Sequence, residues 1–89
     1  MRLCGDFRCN ESPAILGLTC LFVKDHNRWA RIIKNKYPLL NDEKIFQESR
    51  RRVIATIQHI TYNEYVPEVL GRKLSLYKGY DPTTDPRIE

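Results

Sequence analysis

The sequence has no stretch able to span a bilayer: its longest apolar run, "AILGLTCLFV", holds ten residues, where a transmembrane helix needs about 20. Met1 is followed by Arg2, Leu3 and Cys4 with no apolar core behind them, so no signal peptide is expected. Histidine is scarce, at two residues, and the three cysteines, Cys4, Cys9 and Cys20, contain no CxxC pair. That spacing supplies no zinc ligand set, and no metal site is expected from these residues. The cysteines read as free thiols, buried or on the surface, which leaves the redox compartment open. Internal repeats and low-complexity tracts are absent as well, which excludes solenoids and disordered arrays.

What is present is basic. The 89 residues carry a net charge of +4, a balance that invites a nucleic-acid partner. The charges are dispersed, however: "RWARIIKNK" closes one helical pattern, "RRR" at 50–52 lies inside another, and "GRK" at 71–73 follows a third. Cations at helix C-termini complement the backbone dipole, so much of the excess has a structural origin. No single face concentrates Lys and Arg beside side chains able to read bases, and no nucleic-acid partner is expected.

Two long helices are legible. Ser12 can cap and Pro13 suits the first helical position. From there Ile15, Leu18, Phe22, His26, Trp29 and Ile33 recur at spacings of three and four. The first helix is predicted from Pro13 to Asn35, ending before Pro38. A second start at Asn41, with Asp42 and Glu43 in its first turn, predicts a helix from Asp42 to Thr61. Phe46, Ser49, Val53, Ile57 and Ile60 mark its inner face, widened by Ile45 and Ile54. The short "YPLLN" link makes the two helices antiparallel neighbours. A short third helix is predicted over Asn63–Leu70, disturbed by Pro67 and stopped by Gly71. The tail "YKGYDPTTDPRIE" is turn chemistry. Because "VIATIQHI" is apolar around most of its circumference, it asks for neighbours on several sides. Three helices supply too few, and the chain reads as a segment of something larger.

The stretch "CGDFRCNESP" puts Arg8 and Glu11 three residues apart just before the first helix. By spacing alone they are a local surface ion pair. Together with "LFVKDHNRWAR", "NDEKIFQESRRRVIATIQHITYNEYVPEVLG" and the closing "DPRI", however, this stretch resembles the animal haem peroxidases. Gly5, Asp6, Arg8, Glu11, His26, Asn27, Arg28, Gln47, Glu48, Arg50, Gln58, Ile60, Thr61, Tyr62, Pro67, Leu70 and Gly71 all fall on the family pattern, which covers almost the whole chain.

The resemblance implies an all-α piece of that mainly helical fold, with residues 1–89 forming part of one peroxidase domain. It implies haem as cofactor, and calcium in the parent domain with ligands outside this chain. Arg8 takes the position of the family's arginine on the distal side of the haem, where a fixed guanidinium stabilises charge developing on the departing oxygen of peroxide. Glu11 takes the position of the carboxylate that forms an ester to a haem methyl. The implied activity is oxidation of halides, phenols or tyrosines by hydrogen peroxide through a ferryl haem, with a small reducing substrate and the rest of the parent domain as partners. Proximal and distal histidines would come from outside the chain, so the isolated segment is expected to be inactive. An extracellular or secretory location is implied too. The alternative is a non-catalytic, dual-oxidase-like peroxidase domain with a structural or interaction role, against which the presence of both Arg8 and Glu11 argues.

His26 is expected to be a core histidine bonded to backbone or a carboxylate, and His59 is assigned no chemistry. Ser12 stands where some members carry a methionine bonded to the haem vinyl, a link serine cannot make. Thr19 and Cys20 replace the usual His-Thr, and Cys4 and Cys9 are unusual neighbours for the arginine.

Overall fold

A computed structural model describes residues 3–87 of the chain. Ile88, the last residue of the "DPRI" match, lies outside them. A 3-10 turn, Phe7–Asn10, leads into helix α1, Pro13–Lys36, and then helix α2, Asp42–Ile60. A π turn, Thr61–Tyr65, connects α2 to the short helix α3, Val66–Leu70. No strand occurs among the described residues, and the fold is all-α.

Local chemistry sets each boundary. Ser12 holds an extended backbone while its Oγ accepts a hydrogen bond from Ile15 N–H at 3.2 Å, and Pro13 opens the helix without losing a bond. α1 closes at Tyr37, which Pro38 holds out of the helical region, with Lys34 and Lys36 in the last turn beside its carbonyl end. The two-helix link then tightens through Leu40 N–H donating to Tyr37 O at 3.2 Å. Asn41 restarts the chain, its Oδ1 accepting from Lys44 N–H at 2.9 Å, and Asp42 and Glu43 place negative charge at the positive end of the dipole.

Helices α1 and α2 pack against each other, and their buried residues lie near the turn that joins them. Ile33 is 4% exposed, Ile45 7% and Ser49 0%. Ser49 faces α1, because its neighbours one turn either way both reach that helix. Phe46 tilts against His26 with ring centroids 5.4 Å apart, and Arg52 lies over the Trp29 ring at 4.6 Å. The Ser49 hydroxyl donates to its own helix at Ile45 O, 2.7 Å away, so burial leaves no donor unsatisfied. Burial fades away from this region. Ile15 and Leu18 on α1 and Ile57 and Ile60 on α2 are exposed, although their spacing marks them for a core.

The predicted third helix is split. Pro67 has no N–H to give the carbonyl of Asn63, and its ring would collide with that carbonyl in a regular helix. The backbone widens instead, with Val66 N–H donating to Thr61 O across a π turn. Gly71 ends α3 in the left-handed region, at φ 70°, which a residue with a Cβ adopts at a cost.

Candidate active site

Arg8 and Glu11 lie on the 3-10 turn and at its end. Asp6 starts the turn from an extended backbone, its Oδ1 accepting from Arg8 N–H at 2.9 Å. Cys9 N–H then donates to Asp6 O at 3.2 Å, and Glu11 N–H to Arg8 O at 3.1 Å. Residues three apart eclipse in such a turn, so Arg8 and Glu11 share one face. Both are exposed.

They do not form the ion pair that their spacing suggests. The Arg8 guanidinium is held by Asp6: Nε donates to Oδ1 and Oδ2 at 3.0 Å each, and Nη2 donates to Oδ2. This grip holds the Asp6 carboxyl below the usual carboxylate range, mainly through the Arg8 side chain and secondarily through its backbone N–H, and raises Arg8 in turn. Sequence order explains the preference. Asp6 already points back at Arg8 N–H as a cap, so its second oxygen meets the guanidinium fork at no further conformational cost. The Glu11 carboxylate takes part in no ion pair among the described residues.

The cysteines overturn a second expectation. Cys4 and Cys9 are joined in a disulfide with Cα atoms 6.5 Å apart, and Cys20 alone is a free thiol. The bond closes a ring around Gly5, Asp6, Phe7 and Arg8, with Cys9 buried at 8% exposure. A separation of five residues carries little pairing information by itself, but the 3-10 turn folds the chain back and brings the two Cβ atoms within reach.

His26 keeps an inward position, its Nδ1 3.4 Å from Asn27 Oδ1, while Nε2 is buried with no hydrogen-bond partner. Trp29 Nε1 is buried in the same condition, although Arg28 and Arg52 each stack on its ring at 4.6 Å. His59 Nδ1 faces the Asn63 side-chain amide at 3.2 Å. No group of three or more His, Cys, Asp or Glu able to hold a metal occurs among the described residues. No helix among them is long and apolar enough to cross a membrane. A groove of about 1120 Å³ runs between the end of α2 and residues 73–78. It is lined by neither Arg8 nor Glu11, both of which are exposed.

Comparison with known proteins decides what such a surface belongs to. The animal haem peroxidase family matches residues 1–89. This chain belongs to the animal haem peroxidase family. It is 43% identical to mouse myeloperoxidase over 91 residues, covering 97% of the chain and 13% of that protein. Peroxinectin A of Dictyostelium discoideum is 43% identical over 84 residues, with 94% of the chain and 16% of that protein covered. Dual oxidase of Drosophila melanogaster is 43% identical over 86 residues, with 97% and 6% covered. The chain thus spans less than a fifth of each of these relatives. No solved structure matches it.

Membership in this peroxidase family implies haem. The residues at the turn fit one edge of it: a carboxylate at Glu11 in no ion pair among the described residues, a guanidinium on the same face at Arg8, and the exposed apolar side chains of Phe7 and Ile15 in the same segment. They do not supply an axial ligand for iron. Both histidines lie on helices away from the turn, and haem needs an axial donor.

Proposed function

We propose that this segment supplies the distal arginine and the haem-anchoring carboxylate of a peroxidase domain that uses hydrogen peroxide to oxidise halides, phenols or tyrosines. The observation that carries the reading is the placement of Arg8 and Glu11 on one exposed face of a single turn, inside a chain matched by the family from end to end. Haem, when bound, supplies the redox chemistry with peroxide. Arg8 donates hydrogen bonds towards the peroxide oxygen that leaves with negative charge, and it stays protonated throughout because a guanidinium does not titrate near neutrality. Glu11 holds the ring edge, its carboxylate being in no ion pair among the described residues. The axial histidines and calcium site come from the rest of the domain, so the segment alone is inactive. The Cys4–Cys9 disulfide supports assembly in the secretory pathway or outside the cell, where such bonds persist.

The test uses the complete domain. Arg8→Gln should leave haem bound and slow the reaction with peroxide by about 10²–10³, the usual loss for one positioned donor. Glu11→Gln should leave that rate closer to wild type but allow acid acetone to extract more haem. If neither substitution changes either measurement, the turn is a surface feature only and the proposal is wrong.

A further inference from the structure

We infer that Asp6 is the positioning residue for Arg8, gripping its guanidinium by one edge and so fixing which N–H bonds meet the reacting oxygen. The inference rests on the reading of Arg8 given above and adds a residue to it.

A guanidinium is planar and offers two usable edges. Asp6 occupies the edge formed by Nε and Nη2, with Nε 3.0 Å from both carboxylate oxygens. The opposite edge, the outer N–H bonds of Nη1 and Nη2, then points away from Asp6 with two parallel donors. Such a fork matches an oxygen that gains charge. An arginine without the grip would sample several rotamers and present this edge only part of the time. Proximity arguments attach large rate effects to such displacement.

The backbone is fixed with the side chain. Asp6 accepts from Arg8 N–H at 2.9 Å and, through its own carbonyl, from Cys9 N–H at 3.2 Å. The disulfide ties Cys4, just before this turn, to Cys9 at its buried end. Asp6 therefore bonds to Arg8 at three nitrogens, inside a covalent ring that limits how far either residue can swing. A fully exposed ion pair contributes little to stability, so orientation is the property that this arrangement can supply.

The same pattern recurs at Asp85 and Arg87, with Arg87 N–H 2.9 Å and Nε 3.1 Å from Asp85 Oδ1. That pair lies outside any covalent ring and serves as an internal control.

Asp6→Asn is the decisive variant because asparagine still caps the turn through its one oxygen while losing the charge and the second acceptor. In the complete haem-loaded domain it should keep haem content and melting temperature, and slow the reaction with peroxide by about 10- to 100-fold. With ¹⁵N-labelled arginine, the Arg8 Nε–H resonance should shift and exchange faster with water, while that of Arg87 stays in place. The double variant Asp6→Asn/Arg8→Gln should be no slower than Arg8→Gln alone, since Asp6 acts through Arg8. If Arg8→Gln is slow but Asp6→Asn matches or exceeds the wild-type rate, or the two losses add, Asp6 does not position Arg8 and the inference fails alone. If Arg8→Gln itself leaves the rate unchanged, the functional reading fails first and the inference with it.

Discussion

An aspartate two residues ahead of an arginine forms the same grip at both places where this chain has one. At Asp6 and at Asp85 the carboxylate takes the backbone N–H of the arginine and then its guanidinium. Both carboxyls are held below the ordinary value of 3.8, chiefly by the arginine side chain. A depressed folded pKa means stabilisation that is present above the ordinary value and lost as pH falls through the lower, folded one. A carboxyl-carbon NMR titration should therefore find the Asp6 midpoint below 3.8, and Arg8→Gln should bring it back up while Asp85 stays low. A midpoint indifferent to Arg8→Gln would show that the two side chains do not meet in solution. The family motif singles out Arg8 and Glu11, whereas charge spacing pairs them with each other, and the structure pairs Arg8 with Asp6 instead. The competing partner, Asp6, was visible in the same five letters. Spacing does not reveal it, because side-chain pairing in a 3-10 turn depends on where the capping side chain points.

At the scale of elements, the starts and stops were legible because each depends on neighbours in sequence. Ser12, Pro13, Asn41 and Gly71 act within a turn of the residues they terminate, and the two long helices begin and end within a residue of expectation, whereas the third starts at Val66 and not at Asn63. The π turn was not legible beyond a disturbance at Pro67, since a proline inside a helical stretch can end, kink or widen it. The core positions were only partly so. Ile45, expected at the margin of the α2 face, is buried, and Phe46, expected inside, is half exposed, so the buried crossing lies at Ile45 and Ser49. Ser49 tests that crossing. With no exposed surface at all, Ser49→Leu should destabilise the packed domain by about 1–3 kcal/mol through overpacking. Ser49→Ala should cost less, since the lost hydrogen bond is internal to α2 and the acceptor keeps its helical donor. Urea unfolding of the two variants measures the difference, and equal midpoints would mean the helices do not meet at Ser49.

The whole molecule exposes more than a self-sufficient domain does. Its accessible surface is 8484 Å², against about 5,400 Å² for a compact monomer of this length. Its radius of gyration is 16.9 Å, against about 12 Å. The excess is apolar in part: Leu18, Leu21, Ile57 and Ile60 lie on helix faces that reach solvent. The apolar surround of "VIATIQHI" asks for more neighbours than three helices offer, and the exposure of Ile57 and Ile60 is the result. Purified alone, the chain should bind a hydrophobic dye and self-associate in sedimentation. A dye-silent monomer with a sharp melt at high temperature would mean that the helices suffice for each other.

The Cys4–Cys9 ring also changes what a protease can do to this segment. The peptide bond after Arg8 lies inside the ring, on an exposed turn. An enzyme that cuts after arginine would open the turn there without releasing a piece, because sulfur still joins the two sides. The nicked chain would gain one water, run as a single species until a thiol is added, and carry its arginine on a newly freed carboxylate. Damage at this bond is thus silent in size and confined to geometry.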